Sequence, residues 1–371
     1  MSKLTSYLRK NPLSYLVLAL PLALIAELAA FPPLWVFILS AIGVIPMAGF
    51  IGQATEALAE HTGPKIGGLL NATLGNAAEL IITLVAIRAG LLELVKASIT
   101  GSILGNLLLV MGVSMVVGGA RHGIQTFDRR QSGNHAILLT LSILALVIPS
   151  LFGHSMGPET SIQVEALSLG VAAVMIILYV LGIVYSLRMS SNEKKHKPIE
   201  ENSPLAYPAS EQAKHGGWSV RTSVIVLALA TVGVVVLSEL LVGAVEHVTE
   251  TIGLSEFFLG IILIPIVGNV AEHLVAVQVA SRNQMDLSVE IAISSSLQIA
   301  LFVAPLLVFI SLLMGHPLTL IFNTFELLAL GAGVLIAALV SIDGESNWLE
   351  GAALLAVYLI LGIAFFLLPA V

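Results

Sequence analysis

Apolar stretches of about twenty residues, the length an α-helix needs to cross a hydrocarbon core of about 30 Å, recur along nearly the whole chain. They lie near residues 12–31, 34–58, 66–88, 96–119, 134–152, 162–187, 219–245, 256–280, 286–314, 320–341 and 347–370. In hydrocarbon every backbone amide needs an internal partner, so such stretches insert as helices or not at all. Of the 371 residues, 57% are hydrophobic and 11% charged, against about 25% charged in soluble domains. These properties predict an all-α polytopic membrane protein with about eleven transmembrane helices. The first apolar run has no small-residue cleavage site and further spans follow it, so it is read as a retained helix.

The long polar stretch, residues 188–217, holds Lys194, Lys195, Lys197, Glu193, Glu200, Glu201 and Glu211 and cannot bury an apolar face. It reads as a linker between two halves. With the N-terminus inside, fourteen of the 16 Lys and Arg residues face the inner side and only Arg88 and Lys96 the outer. That bias predicts a cytoplasmic N-terminus and an external C-terminus. Nothing in the charge pattern suggests nucleic acid. The chain has no cysteine, so a metal would be met by oxygen or imidazole, which favours hard cations.

Against this apolar background, Gly75-Asn76-Ala77-Ala78-Glu79 and Gly268-Asn269-Val270-Ala271-Glu272 repeat one polar motif 193 positions apart. The same offset pairs Gly67 with Gly260, Ser102 with Ser295 and Leu104 with Leu297. A duplication accounts for this, with residues 1–33 as an extra N-terminal helix, 34–187 as one repeat, 188–217 as the cytoplasmic linker and 218–371 as the second repeat. Five spans per repeat is an odd number, so the second copy is upside down. Inverted repeats bring matching mid-membrane motifs to one central site. Close packing would explain the glycines alone, but it does not explain twin glutamates, which are costly at the bilayer centre and functional by default.

Asn76 and Glu79, like Asn269 and Glu272, stand three residues apart on one helix face. Gly75, Gly268 and Pro265 are expected to bend or break their helices and free carbonyls towards a cation. Ser102 with Asn106, and Ser295 with Gln298, add oxygens in the following helices. Calcium takes six to eight oxygen ligands, of which two carboxylates supply at most four. His273, offset about 100° from Glu272 on the helix, is a candidate to relay protons or tune Glu272 rather than a direct ligand. Two ionised glutamates neutralise one divalent cation, and the same pair protonated is uncharged. Empty and ionised, they would confront like charges in a poor solvent. Obligatory exchange of calcium for protons is the expectation.

The segments 67–79, 101–109, 268–273 and 295–302 resemble the signature repeats of the calcium/cation exchanger superfamily, in its H+/Ca2+ antiporter branch. Together they cover about a tenth of the chain. The resemblance implies Glu79 and Glu272 as the shared calcium and proton site, supported by Asn76, Asn269, Ser102, Asn106, Ser295 and Gln298. It also implies alternating access by sliding of the first two helices of each repeat, with no cofactor beyond the transported ion. A sodium/calcium exchanger of the same superfamily is the alternative, but it usually has a further polar group where this chain has Ile299. A cation channel and an intramembrane hydrolase are weaker readings. The partners expected are Ca2+, H+ and the lipid bilayer, with a homo-oligomer left open. A prokaryotic plasma membrane is the expected home.

Overall fold

The computed structural model describes residues 12–193 and 218–368. A 3-10 segment, Pro12–Leu18, leads into α1 (Ala19–Leu28). Helix α2 (Pro33–Leu74) starts on Pro33, whose missing amide costs nothing in a first turn. It is two limbs rather than one rod, because Gly63 has φ 80° and ψ 171°. The second limb folds so tightly onto the first that a Cβ on Gly67 would sit 2.8 Å from the Ala59 carbonyl oxygen. After a break at Gly75 and Asn76 come α3 (Ala77–Arg88), α4 (Leu92–His122), α5 (Arg129–Met156) and α6 (Ile162–Glu193). The second half holds α7 (Val220–Ile252), α8 (Glu256–Ala280), α9 (Met285–Leu313), α10 (Thr324–Val340) and α11 (Trp348–Leu367).

Among the described residues, eight helices are long and apolar enough to cross a membrane. Helices α1 and α10 are shorter apolar helices, and the expected span at 66–88 is divided by the break at Gly75. The expected linker lies mostly outside the described residues, although α6 runs on to Glu193, past the expected end at 187.

The best-buried spans are α4 and α9, with 72% and 67% of their apolar windows enclosed, against 22% for α6 and α11. These two central helices therefore carry residues that never meet lipid, while α6 and α11 form part of the perimeter. Glycines set the closest crossings. Helix α4 meets α8 where Gly101 abuts the Ile261 carbonyl and Gly260 abuts Leu94 and Ala97. It meets α11 where Gly112 and Gly351 face one another. Helices α1, α2 and α7 pack together as a group.

Two features were not expected. Helices α4, α8 and α9 each contain a π-helical turn, at Gly105–Val110, Leu259–Leu263 and Ile299–Val303. The α4 and α9 turns occupy matching positions in the 193-residue register. In addition, Gln125–Thr126 and Glu345–Ser346 pair as a two-residue antiparallel ribbon that ties the α4–α5 loop to the α10–α11 loop.

Candidate functional site

Glu79 occupies the first turn of α3, three residues after Asn76 at the helix N-cap. Its side chain is buried, and the positive end of the helix dipole favours negative charge there. Glu79 Oε1 accepts a hydrogen bond from the Ser102 hydroxyl of α4 and one from Asn269 Nδ2 of α8, at 2.5 Å. Asn269 Nδ2 also lies 3.5 Å from the Ser102 hydroxyl.

The second glutamate has the same surroundings with the halves exchanged. Half-buried Glu272, in α8, accepts from the Ser295 hydroxyl of α9 at 3.0 Å. The Ser295 hydroxyl also lies 3.3 Å from Asn76 Oδ1, in the first half. Each glutamate is thus bonded to the serine 23 residues after it, and that serine meets the asparagine of the opposite motif. The crossed pattern maps Glu79, Ser102 and Asn269 onto Glu272, Ser295 and Asn76 under the 193-residue offset.

The outer parts of the site break the symmetry. Asn76 Nδ2 donates to Gln298 Oε1 at 2.9 Å, and His273 Nε2 lies 3.2 Å from Asn106 Oδ1. The 193-residue offset puts Gly105, Leu80 and Ile299 opposite Gln298, His273 and Asn106, and none of these has a polar side chain. The polar residues expected at the site gather into two crossed clusters, Glu79 with Ser102 and Asn269, and Glu272 with Ser295, Asn76 and Gln298. Asn106 and His273 pair with each other beside them.

The expected helix breaks need correction. Gly75 does lie in a break between α2 and α3. Gly268 and Pro265 do not break α8, which runs without interruption from Ile264 to Ala280. The irregularity is the π-helical turn just before Pro265, whose wider ring gives room for the proline that would otherwise clash with the Ile261 carbonyl. Gly268 is needed for space instead. A Cβ there would come within 3.0 Å of Glu79 Cγ, whereas one on Gly75 would make ordinary contact with Glu272 Oε1, at 3.8 Å. Gly268 therefore forms the floor beneath the Glu79 carboxylate.

The donor set suits an exchangeable hard cation. Glu79 Oε2 is buried with no hydrogen-bond partner among the described residues, so it is a free acceptor. The Asn106 and Gln298 amide nitrogens are likewise buried and unpartnered among the described residues. Among those residues no three His, Cys, Asp or Glu side chains cluster as a metal cage. Calcium affinity rises with the number of charged ligands, so two carboxylates completed by amide and hydroxyl oxygens make a site that can release its ion. Of the serine run in α9, only Ser295 faces this network. Ser294 and Ser296 bond back to the Ile291 and Ala292 carbonyls.

Residues 32–188 and 222–367 match the sodium/calcium exchanger protein family. The Ca2+/H+ antiporter of Aphanothece halophytica is 42% identical over 371 residues, covering 98% of this chain and 99% of the relative. A solved structure of the Ca2+/H+ antiporter protein YfkE superposes with a TM-score of 0.80 at 40% identity, covering 95% of this chain and 98% of that one. A sodium-calcium exchanger structure shares the fold more distantly, with a TM-score of 0.53 at 19% identity over 88% of this chain and 96% of that one.

Proposed function

The chain belongs to the sodium/calcium exchanger protein family, and we propose that Glu79 and Glu272 form the one site at which it exchanges Ca2+ for H+. It is a Ca2+/H+ antiporter integral to the membrane, a secondary transporter rather than an enzyme.

The observation that carries the site assignment is the crossed pairing of Glu79 with Asn269, and of the Glu272 partner Ser295 with Asn76. It ties the two carboxylates to one polar centre in a region otherwise built of apolar helices. Ca2+ enters against both ionised carboxylates, with Asn76, Asn269 and the two serine hydroxyls completing its oxygen shell. When protons replace it, the carboxyl groups become neutral and need no counter-ion. The two cargoes exclude one another because they use the same oxygen lone pairs. Two opposed five-helix repeats, 34–187 and 218–371, supply one motif each, and exposing the centre to one side at a time completes the cycle. The basic loops favour a cytoplasmic N-terminus and an external C-terminus, in a prokaryotic plasma membrane where inward protons drive calcium out.

Sodium coupling is the second reading. The site argues against it because Ile299, the counterpart of Asn106, offers no side-chain oxygen for further cation sites. Everted or proteoliposomal vesicles under a fixed pH gradient decide both questions. Vesicles with wild-type protein take up calcium without sodium and release protons to the outside in step. Glu79→Gln and Glu272→Gln each lose that coupled flux. Undiminished calcium-dependent proton movement in both variants would refute the site, and a requirement for sodium would replace the proton as driver.

A further inference from the structure

Helices α5 and α10 do not close against each other along their full length. A groove of about 470 Å³ runs between them, with Arg129 at one end. Arg129, Gly133, Thr140 and Leu141 follow one face of α5, and the opposite wall is the end of α10 at Ser341 and Ile342. From Arg129 to Leu141 is twelve residues, or about 18 Å of helix, close to the roughly 15 Å of one leaflet's hydrocarbon.

The walls are apolar in effect. The Thr140 hydroxyl donates to the Ala136 carbonyl at 2.7 Å and the Ser341 hydroxyl to the Ala337 carbonyl at 2.8 Å, so neither needs a partner in the groove. Leu141 and Ile342 are 48% and 55% exposed. Arg129 is exposed and makes no ion pair among the described residues. It also sits in the first turn of α5, which contains no acidic residue, and a cation there opposes the helix dipole. A bound anion would satisfy both the guanidinium and the dipole.

We infer that this groove holds one phospholipid, with an acyl chain along α5 and an anionic headgroup phosphate on Arg129. With α5 entering from the inner side, the lipid belongs to the cytoplasmic leaflet. Gly133 offers a selective probe, because a Cβ there meets no atom within 4 Å. A bulky residue would fill the groove without displacing protein.

The test is native mass spectrometry of the full-length protein released from detergent with equal amounts of phosphatidylglycerol and phosphatidylethanolamine. Wild-type protein should retain one phosphatidylglycerol with a preference of about tenfold, the size one charge-assisted contact provides. Arg129→Gln should abolish the preference while total bound lipid stays the same. Gly133→Phe should lower total bound lipid by one, and Gly133→Leu does the same if the larger residue prevents folding. Equal retention of the two lipids by wild type, or a preference that survives both the Arg129 and Gly133 substitutions, overturns the assignment. Calcium flux in the variants is measured separately, so failure here leaves the two-glutamate site untouched.

Discussion

At the residue scale, the polar members of the centre were legible because asparagine, serine and glutamate stand out from apolar surroundings and recur at a constant offset. The glycines were harder to interpret, since a glycine before a motif reads as a hinge whether it bends a helix or makes room for a neighbour. Gly268 and Gly75 separate the two roles. A Cβ on Gly268 meets the flexible Glu79 side chain, whereas one on Gly75 also lies 2.7 Å from the Asn71 carbonyl oxygen of its own chain break. Gly268→Ala should therefore leave folding intact and displace the Glu79 carboxylate, raising the calcium concentration for half-maximal flux about tenfold, the low end of overpacking costs of about 1–3 kcal/mol. Gly75→Ala should lower thermal stability as well, and melting curves beside calcium titrations distinguish the two.

At the element scale, hydropathy located the helices but not their irregularities. The π-helical turn in α9 is a run of apolar residues and the one in α4 adds only Gly105 and Asn106, so nothing in their composition marks the wider turn. The ribbon between Gln125 and Ser346 joins loops more than 200 positions apart that sequence periodicity cannot relate. The break near Gly63 was legible only as a gap between two spans. Its backbone supplies a sharper test, because Gly63 and Gly52 both have open space where a Cβ would go, and only Gly63 has positive φ. Gly63→Ala should destabilise the protein by about 1–3 kcal/mol, the cost of an alanine held in a sparsely populated conformation. Gly52→Ala, inside a regular limb, should stabilise by about 0.5–1 kcal/mol through helix propensity. Opposite shifts in melting temperature for two alanines eleven residues apart are the expected result. Shifts of the same sign would mean that the two limbs of α2 do not meet at a strained glycine.

At the scale of the whole molecule, the question is how much charge crosses the membrane in one cycle. The centre carries two carboxylates, and the residues bonded to them are amides and hydroxyls that do not titrate. One Ca2+ moving one way and two protons the other leave no net charge displaced. Moving one uncompensated charge across 100 mV is worth about 2.3 kcal/mol, equivalent to about a fiftyfold change in the gradient the transporter can sustain. Exchange by this centre should therefore be insensitive to a potassium–valinomycin potential in vesicles, with the pH gradient held constant. The same arithmetic sets the pH response. On the proposed mechanism calcium binds only to the doubly ionised centre, so lowering pH should weaken apparent calcium affinity, by up to about a hundredfold per pH unit where both protons must leave and tenfold where one must. A third proton would come from His273, next to Glu272 in sequence and paired with Asn106. In that case a potential dependence would appear in wild type and vanish in His273→Gln. Potential-independent exchange in both proteins would confine the coupling to the two glutamates.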